Sequence, residues 1–395
     1  MYGTSPQVRA YKWAQNDPWL GNYSEEQLQQ RFSLATVYYA TNRNTSWNHV
    51  GGGTVSALYR NSTIEKKIEE EEVTSPPSFD AGNGPPPPGG LPPGLERVNV
   101  TSKAWLSYDN ECDWFSSAFR ATGTTICDEH GAMQTLSLKS NGLSARIPEE
   151  IGMLTNLQSI HLWKNQLDGP IVSQFGAMTN LMQLNLGDNA LSGTIPLEIG
   201  KLSNSLRYFA VGGNPLTGSL PQELWHLSKM VILHVSHTEI TGSLPLNLAN
   251  HMPDLKVLVL RHNRLSGRLP TSLPTALVAL RARDNALTGS IPSEFGLLGS
   301  SLTKILLSGN QLSGTLATEL GLLSTLFELS LDGNEQISGP LPSELGLLNS
   351  TLQTLKLEGT LITGSIPSEL CGIQRLTFDC SSERLCGCDC PCAQL

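Results

Sequence analysis

Two sets of side chains in this 395-residue chain could do chemistry. The first is cationic and imidazole-bearing: His234, His237, Arg261, His262, Arg281, Arg283 and Lys304. His237 and His262 are 25 residues apart, and Arg261 and Arg283 are 22 apart. If those spacings place them on adjacent strands, about 4.8 Å from one another, they form one positive patch. Only Asp284 opposes it in the sequence. Such a patch suits a carboxylate, a sulfated or phosphorylated group, or an acidic protein face. The same residues also describe a solvated, moderately charged surface. His161, Trp163, Lys164 and Tyr208 add a second cluster in which the tryptophan is either an interface anchor or packing for an N-terminal cap. Trp225, in QELWHL, reads as structural.

The second set is the eight cysteines: Cys112 and Cys127, then Cys371, Cys380, Cys386, Cys388, Cys390 and Cys392. An even number at the two ends of a chain, with none in the long middle, reads as disulfide staples in an oxidising compartment. The CGCDCPC stretch could instead cluster thiolates for zinc, but metal sites need wider loops between ligands. No metal ligand set and no cofactor is expected. Asn-x-Ser/Thr acceptors at Asn22, Asn44, Asn61, Asn99 and Asn349 agree with a secretory route. No nucleophile elbow, zinc-helix motif, phosphate loop or dinucleotide fingerprint is present, so the expectation is a non-enzyme.

The elements that must position these groups repeat. The stretch LMQLNLGDNALSGTIPLEIG, from Leu181 to Gly200, carries the leucine-rich-repeat pattern. Leu184 and Leu186 alternate with polar residues, as in a half-buried strand. Asn189 sits where the chain leaves the strand and can bond backbone groups of neighbouring coils. Leu191 and Ile195 supply further inward layers, Gly193 permits a turn, and Pro196 leads the chain back. One coil cannot bury its own apolar face, so coils must stack. The first leucine-type position recurs at Met133, Leu157, Leu181, Leu206, Met230, Leu255, Leu277, Leu302, Leu326 and Leu352. The asparagine recurs in eight of these ten coils, with Thr238 and Thr360 in the other two. The expected fold is an α/β solenoid, a right-handed leucine-rich-repeat superhelix of about ten repeats with a concave parallel sheet.

The G-x-I/L-P step, as in Gly193 to Pro196, resembles the plant-type repeat of receptor-kinase ectodomains and polygalacturonase-inhibiting proteins. The resemblance covers about residues 105–380. It implies a short second strand per coil, a twisted arc and capped ends. The segment LATVYYATN, then Trp47, WLS with Trp105, ECDWF with Cys112 and Trp114, and finally Cys127 resembles the N-terminal cap of diatom-type extracellular repeat proteins. It implies that Cys112 pairs with Cys127. The six later cysteines are expected to pair among themselves in one of fifteen connectivities.

These readings divide the chain into an N-terminal extension over 1–24, expected to be poorly ordered, and a cap over 25–132. Within the cap, EEQLQQRFSLATVYY (25–39) has helical spacing, and a charged and Pro/Gly-rich insertion spans about 64–95. Repeats follow over 133–375, then a cysteine-rich cap over 376–395. IEKKIEEEEV (64–73) reads as a solvated helix or a disordered stretch, and 74–95 as a polyproline-like excursion. A net charge of −9 gives no reason to expect nucleic-acid binding. No apolar window is long enough for a transmembrane helix. The first thirty residues lack a signal-peptide core, so an upstream signal or anchor is expected. The function expected is extracellular recognition of a protein or glycan ligand through the concave face, with an acidic ligand suiting the cationic patch. The alternatives are a structural or adhesive matrix protein and an inhibitor of a secreted hydrolase.

Overall fold

The computed structural model describes residues 5–15, 25–41, 127–364, 366–372 and 375–377. Cys112, Cys380, Cys386, Cys388, Cys390, Cys392, the acceptors Asn22, Asn44, Asn61 and Asn99, and the 64–95 insertion lie outside them.

The chain is a stack of coils whose strands form one eleven-stranded parallel sheet, from Thr135–Ser137 to Arg375–Thr377, in sequence order. Each strand is three residues long because only its middle residue faces inward. Leu136, Ile160, Leu184, Phe209, Leu233, Leu258, Leu280, Ile305, Leu329 and Leu355 hold that middle place and are fully buried. The residue two places on, such as Leu186 or Leu260, is buried as well. Together with the returning side they make one continuous core along the solenoid. Burying each such side chain contributes roughly 1.5–3 kcal/mol. Ten coils were expected from the leucine register. The eleventh strand, Arg375–Thr377, pairs with Thr354–Lys356 beyond the tenth coil.

The asparagines do the work assigned to them. Asn214 Nδ2 donates to the Leu186 and Val211 carbonyls at 3.0 and 2.9 Å, while its Oδ1 accepts from Leu191 N at 2.9 Å. The same arrangement recurs at Asn165, Asn189, Asn263, Asn285, Asn310 and Asn334. It satisfies backbone groups that the strands no longer pair. Thr238, in a coil without the asparagine, gives its hydroxyl to Asn263 Oδ1 instead.

A second, outer set of short strands forms a three-stranded and a six-stranded sheet. The return side is a row of 3-10 helices, each begun after a proline or its substitutes Val172 and Ala317, with a four-residue α-helix, Leu248–His251, after Asn247 in one coil. Successive helices approach closely: a Cβ on Gly296 would collide with the Glu319 carbonyl. The 22-residue coil from Leu255 has no return helix and instead bridges Ser272 to Asn247. It is too short to complete the extra turn.

Two helices cover the first coil. α1 (Pro6–Gln15) packs on α2 (Glu25–Thr41) through Ala10, Trp13 and Ala35, with the buried Arg31 guanidinium 5.2 Å from the Trp13 ring centre. Leu34 and Val37 of α2 join the solenoid core, and Gln30 Oε1 accepts from Met133 N at 2.8 Å. The 1–24 segment, expected to be poorly ordered, thus contains a helix. Its apolar signal was faint: among its described side chains Ala10 and Trp13 are the buried hydrophobic ones, and Gln7 and Arg9 hydrogen-bond to Glu150 and the Tyr39 carbonyl. Cys127 is disulfide-bonded and bridges antiparallel to Met133, covering the edge of the first strand. Among the described residues no helix is long and apolar enough to cross a membrane.

Candidate functional site

The outer face of the large sheet is built from the first and third residues of each strand and the second residue after it. Strand register sets the neighbours. Tyr208 lies beside Ile232, which lies beside Val257, then Ala279, Lys304 and Glu328. In the next row His234 lies beside Val259, then Arg281, Leu306 and Ser330. Arg261 and Arg283 occupy the row beyond. His237, His262 and Asp284 follow at positive φ of 52°, 53° and 56°. The spacing therefore does bring the predicted cluster together.

Its geometry is specific. The rings of His237 and His262 stack with centroids 4.2 Å apart. His262 Nδ1 lies 3.1 Å from Asp284 Oδ2, and Arg283 Nε lies 4.0 Å from the same oxygen. His234 Nε2 is 2.6 Å from Ser236 Oγ. Desolvation, then repulsion from Arg261, Arg281 and His237, lowers His234 to a pKa of about 4. Desolvation, then His262, Arg261 and Arg283, lowers His237 to about 4 against a smaller opposing pull from Asp284. His262 is also lowered, first by desolvation, with Asp284 partly offsetting it. With values near 4, the His234 and His237 imidazoles are neutral at mildly acidic pH. Arg261, Arg281, Arg283 and Lys304 supply the cations of the patch.

Two expectations of exposed strand positions need correction. Arg281 is only 3% exposed and His161 only 4%. Arg281 lies between Val259 and Leu306, themselves 3% and 5% exposed, so this part of the outer face is covered. Position in the repeat tells which face a side chain is on, not what lies over it. His161, buried beside Ser159, has its pKa lowered to about 4 by burial and then by Lys139. The sequence reading also missed three participants. Glu328 stands beside Lys304, so Asp284 is not the lone acid. Lys139 Nζ sits 3.5 Å from the Trp163 ring centre, with Lys164 at 4.8 Å on the same ring. Ile232, Val257, Val259 and Ala279 form a separate apolar cluster on the outer face with Tyr208 against it, each of the four 3% exposed. Four apolar residues at strand positions that need none were the available signal. Tyr208 accepts from Asn185 Nδ2 at 3.4 Å. Trp225 is buried in the core, as expected. Asn349 ends a return helix on the exposed side.

Among the described residues no group of three or more His, Cys, Asp or Glu is placed to hold a metal ion. The arrangement offers instead a mixed surface: an apolar strip beside guanidinium groups.

The leucine-rich-repeat family model matches residues 180–202 and 254–275. No curated protein matches the chain. Among solved structures, the plant peptide hormone receptor RGFR1 in complex with RGF2 is 36% identical, with a TM-score of 0.59, over 62% of this chain and 39% of that one. A TDR receptor is 31% identical, with a TM-score of 0.59, over 68% and 44%. A plant ice-binding protein is 28% identical, with a TM-score of 0.57, over 68% and 86%. The chain thus spans less than half the length of these two receptor chains. Register, asparagine ladder, proline-led return helices and these likenesses agree: the chain belongs to the plant-type leucine-rich-repeat proteins.

Proposed function

We propose that this protein recognises an extracellular ligand without catalysing a reaction, and that the concave face of coils four to seven is where it binds. The observation that carries this reading is the pairing of an apolar strip with cations. Ile232, Val257, Val259 and Ala279 adjoin Arg281, Arg261 and Arg283. The repeat core requires neither, since other coils place Asn185, Gly187, Ser330 or Asp332 at equivalent positions. Clustered guanidinium groups repel one another, and an anionic partner removes that cost. Likeness to a receptor solved with a peptide hormone supports an extended peptide carrying an acidic group as the ligand class. Titration of extended peptides with acidic, neutral or basic ends tests it. Acidic peptides should bind at least ten-fold more tightly at low salt, with the preference fading as salt rises. Equal affinity for all three would reject the reading.

A second reading has its own observation. Ser192, Thr217, Thr241, Ser266 and Thr288 precede, and Thr194, Ser219, Ser243 and Ser290 follow, the glycines of the outer strands, where their side chains are exposed or half-exposed. Rows of hydroxyls on a regular sheet, in a chain similar to an ice-binding protein, fit adsorption to ice. Thermal hysteresis of the purified protein decides it, and a freezing point equal to the melting point would dismiss it.

A further inference from the structure

On the convex side, the returning 3-10 helices of coils seven, eight and nine carry an apolar stripe. These are Ser293–Leu298, Thr318–Leu322 and Ser343–Leu348. Leu297, Leu322 and Leu347 hold equivalent places in them and are 77%, 55% and 68% exposed. The core does not use them, since Leu298, Leu323 and Leu348 beside them are the buried leucines. Earlier coils put Met153, Ala177, Lys201 and His226 at the same place. The coil before the stripe has no return helix, and Gly372 holds the place in the coil after it. One exposed leucine is ordinary, but three in adjacent coils make a contiguous apolar strip.

Geometry and charge limit what fits there. A Cβ on Gly296 or Gly321 would collide with the Glu319 or Glu344 carbonyl, so these helices pack backbone to backbone. With coils stacked about 5 Å apart, the leucines repeat close to the pitch of an α-helix, about 5.4 Å. Residues three apart in a 3-10 helix share a face. Glu294, Glu319 and Glu344 each stand three residues before their leucine. They therefore form a second column, about 6 Å from the first. Their carboxylates accept from the Ser293, Thr318 and Ser343 hydroxyls at 3.4, 3.2 and 3.2 Å. Among the described residues no cation pairs with them. Residues 291–350 hold six acids and one base, Lys304, which belongs to a concave strand.

We propose that this convex face docks a cationic amphipathic helix of a partner protein. An α-helix lying along the stack sets apolar residues at i, i+3 or i+4, and i+7 on the three leucines, and its lysines or arginines over the three glutamates. A second copy of this chain does not fit. A stable pair needs roughly 800 Å² and 20–30 residues a side, whereas the three leucines together expose the equivalent of two whole leucines. A second copy would also bring its own glutamates and no cation. The glutamate column likewise repels an anionic membrane. The site lies on the side of the solenoid opposite the concave patch and stands independently of that reading.

The probe is a labelled synthetic peptide of about 14 residues, with leucine and lysine arranged in helical period, titrated on the full chain by fluorescence anisotropy. Two control peptides keep its length: one shuffles the same residues out of helical period, and one has glutamate for lysine. The helical cationic peptide should bind at least ten-fold more tightly than either. A chain carrying Leu297→Gln, Leu322→Gln and Leu347→Gln should bind it at least ten-fold more weakly at any salt. A chain carrying Glu294→Gln, Glu319→Gln and Glu344→Gln should show the same loss at low salt and match the parent at about 0.5 M salt. All six side chains are exposed or half-exposed, so both variants should keep the parent's melting temperature. Equal binding of the shuffled peptide, or affinity unmoved by the leucine variant, would overturn the proposal. So would a dimer, or uptake on phosphatidylcholine vesicles, that the leucine variant abolishes, since the stripe would then have another occupant.

Discussion

His237 and His262 face each other across adjacent coils with their rings stacked 4.2 Å apart, and each holds a backbone φ just above 50°. Other coils place Gly213, Gly309, Gly333 and Gly359 at this left-handed position, where glycine is unstrained. Ser140, Lys164, Asp188 and Asp284 hold it too, at a cost on the order of 1 kcal/mol each, so it is the stacking of the two imidazoles beside three arginines that marks the rim of the site. His237 titrates near pH 4 in the free protein, down from 6.5. A bound carboxylate would raise that value. A group whose pKa rises on binding takes up protons with the ligand, so affinity grows as pH falls from 6.5 toward 4. Acidic-peptide affinity measured from pH 7 to 4.5 should therefore rise several-fold. The rise should flatten in a His237→Gly, His262→Gly chain, which should fold at least as stably as the parent. A profile unchanged by the double substitution would remove the histidines from the binding step.

His161 makes the opposite kind of prediction, about stability. Its pKa is lowered from 6.5 to about 4 by burial first and Lys139 second. A histidine with a depressed folded-state pKa binds fewer protons folded than unfolded between those values. Its contribution is present above 6.5 and is lost as pH falls toward 4. The loss is about 3 kcal/mol for one group shifted this far. Denaturant unfolding at pH 7 and pH 4.5 should show His161→Asn narrowing the gap between the two. An unchanged gap would mean that other groups govern the acid limb.

The asparagine ladder yields a prediction of pure stability. Asn214 is 2% exposed and holds the Leu186 and Val211 carbonyls and the Leu191 amide. Asn214→Ala strands all three, at roughly 1–3 kcal/mol for each buried group left unpaired. Partial repair by water lowers the sum, and about 3 kcal/mol is expected. A loss under 1 kcal/mol in chemical denaturation would show that the coils close without the ladder.

How much of this was legible in the sequence follows from how local each cause is. Leu184 and Asn189 could be assigned because their jobs are fixed by position within one coil and by the identical coil beside it. The meeting of Arg261 with Arg283 was legible for the same reason, since equal places in adjacent coils are neighbours. The burial of Arg281 was not, because it depends on what lies over the face rather than on the repeat. Gln30 reaching Met133 joins residues 103 positions apart with no periodic relation, and among its described side chains α1 buries two apolar residues in a polar stretch. Lys139 reaches Trp163 from the preceding coil, and a long flexible lysine stem can take many directions from one repeat position.

Cys127 is disulfide-bonded, and we propose Cys112 as its partner. If so, Cys127→Ser leaves one new thiol, at Cys112, and loosens the cover over the first strand. A loop of this size predicts roughly 3 kcal/mol lost. Mass spectrometry after alkylation without reductant should find the label at Cys112. A label on one of the six later cysteines would assign Cys127 a different partner.

The three arginines should separate by burial. Arg261 and Arg283 are half-buried and Arg281 is covered. Serine at 261 or 283 removes a cation from a repelling cluster, so fold stability should change by less than about 0.5 kcal/mol. Each should weaken binding of an acidic peptide about ten-fold at low salt and reduce its salt dependence. Each also removes a charge that holds His237 down, so its titration, followed by proton NMR, should move up from about 4 toward 6.5. Serine at 281 differs, because it deletes a covered guanidinium together with the packing of its stem against Val259 and Leu306. Removing a large covered side chain costs roughly 0.5–3 kcal/mol. Arg281→Ser should therefore destabilise the fold as well as weaken binding, and Arg281→Met should recover part of the stability but none of the binding. If Arg281→Met binds the acidic peptide as the parent does, the covered arginine is packing alone, and recognition rests on Arg261 and Arg283.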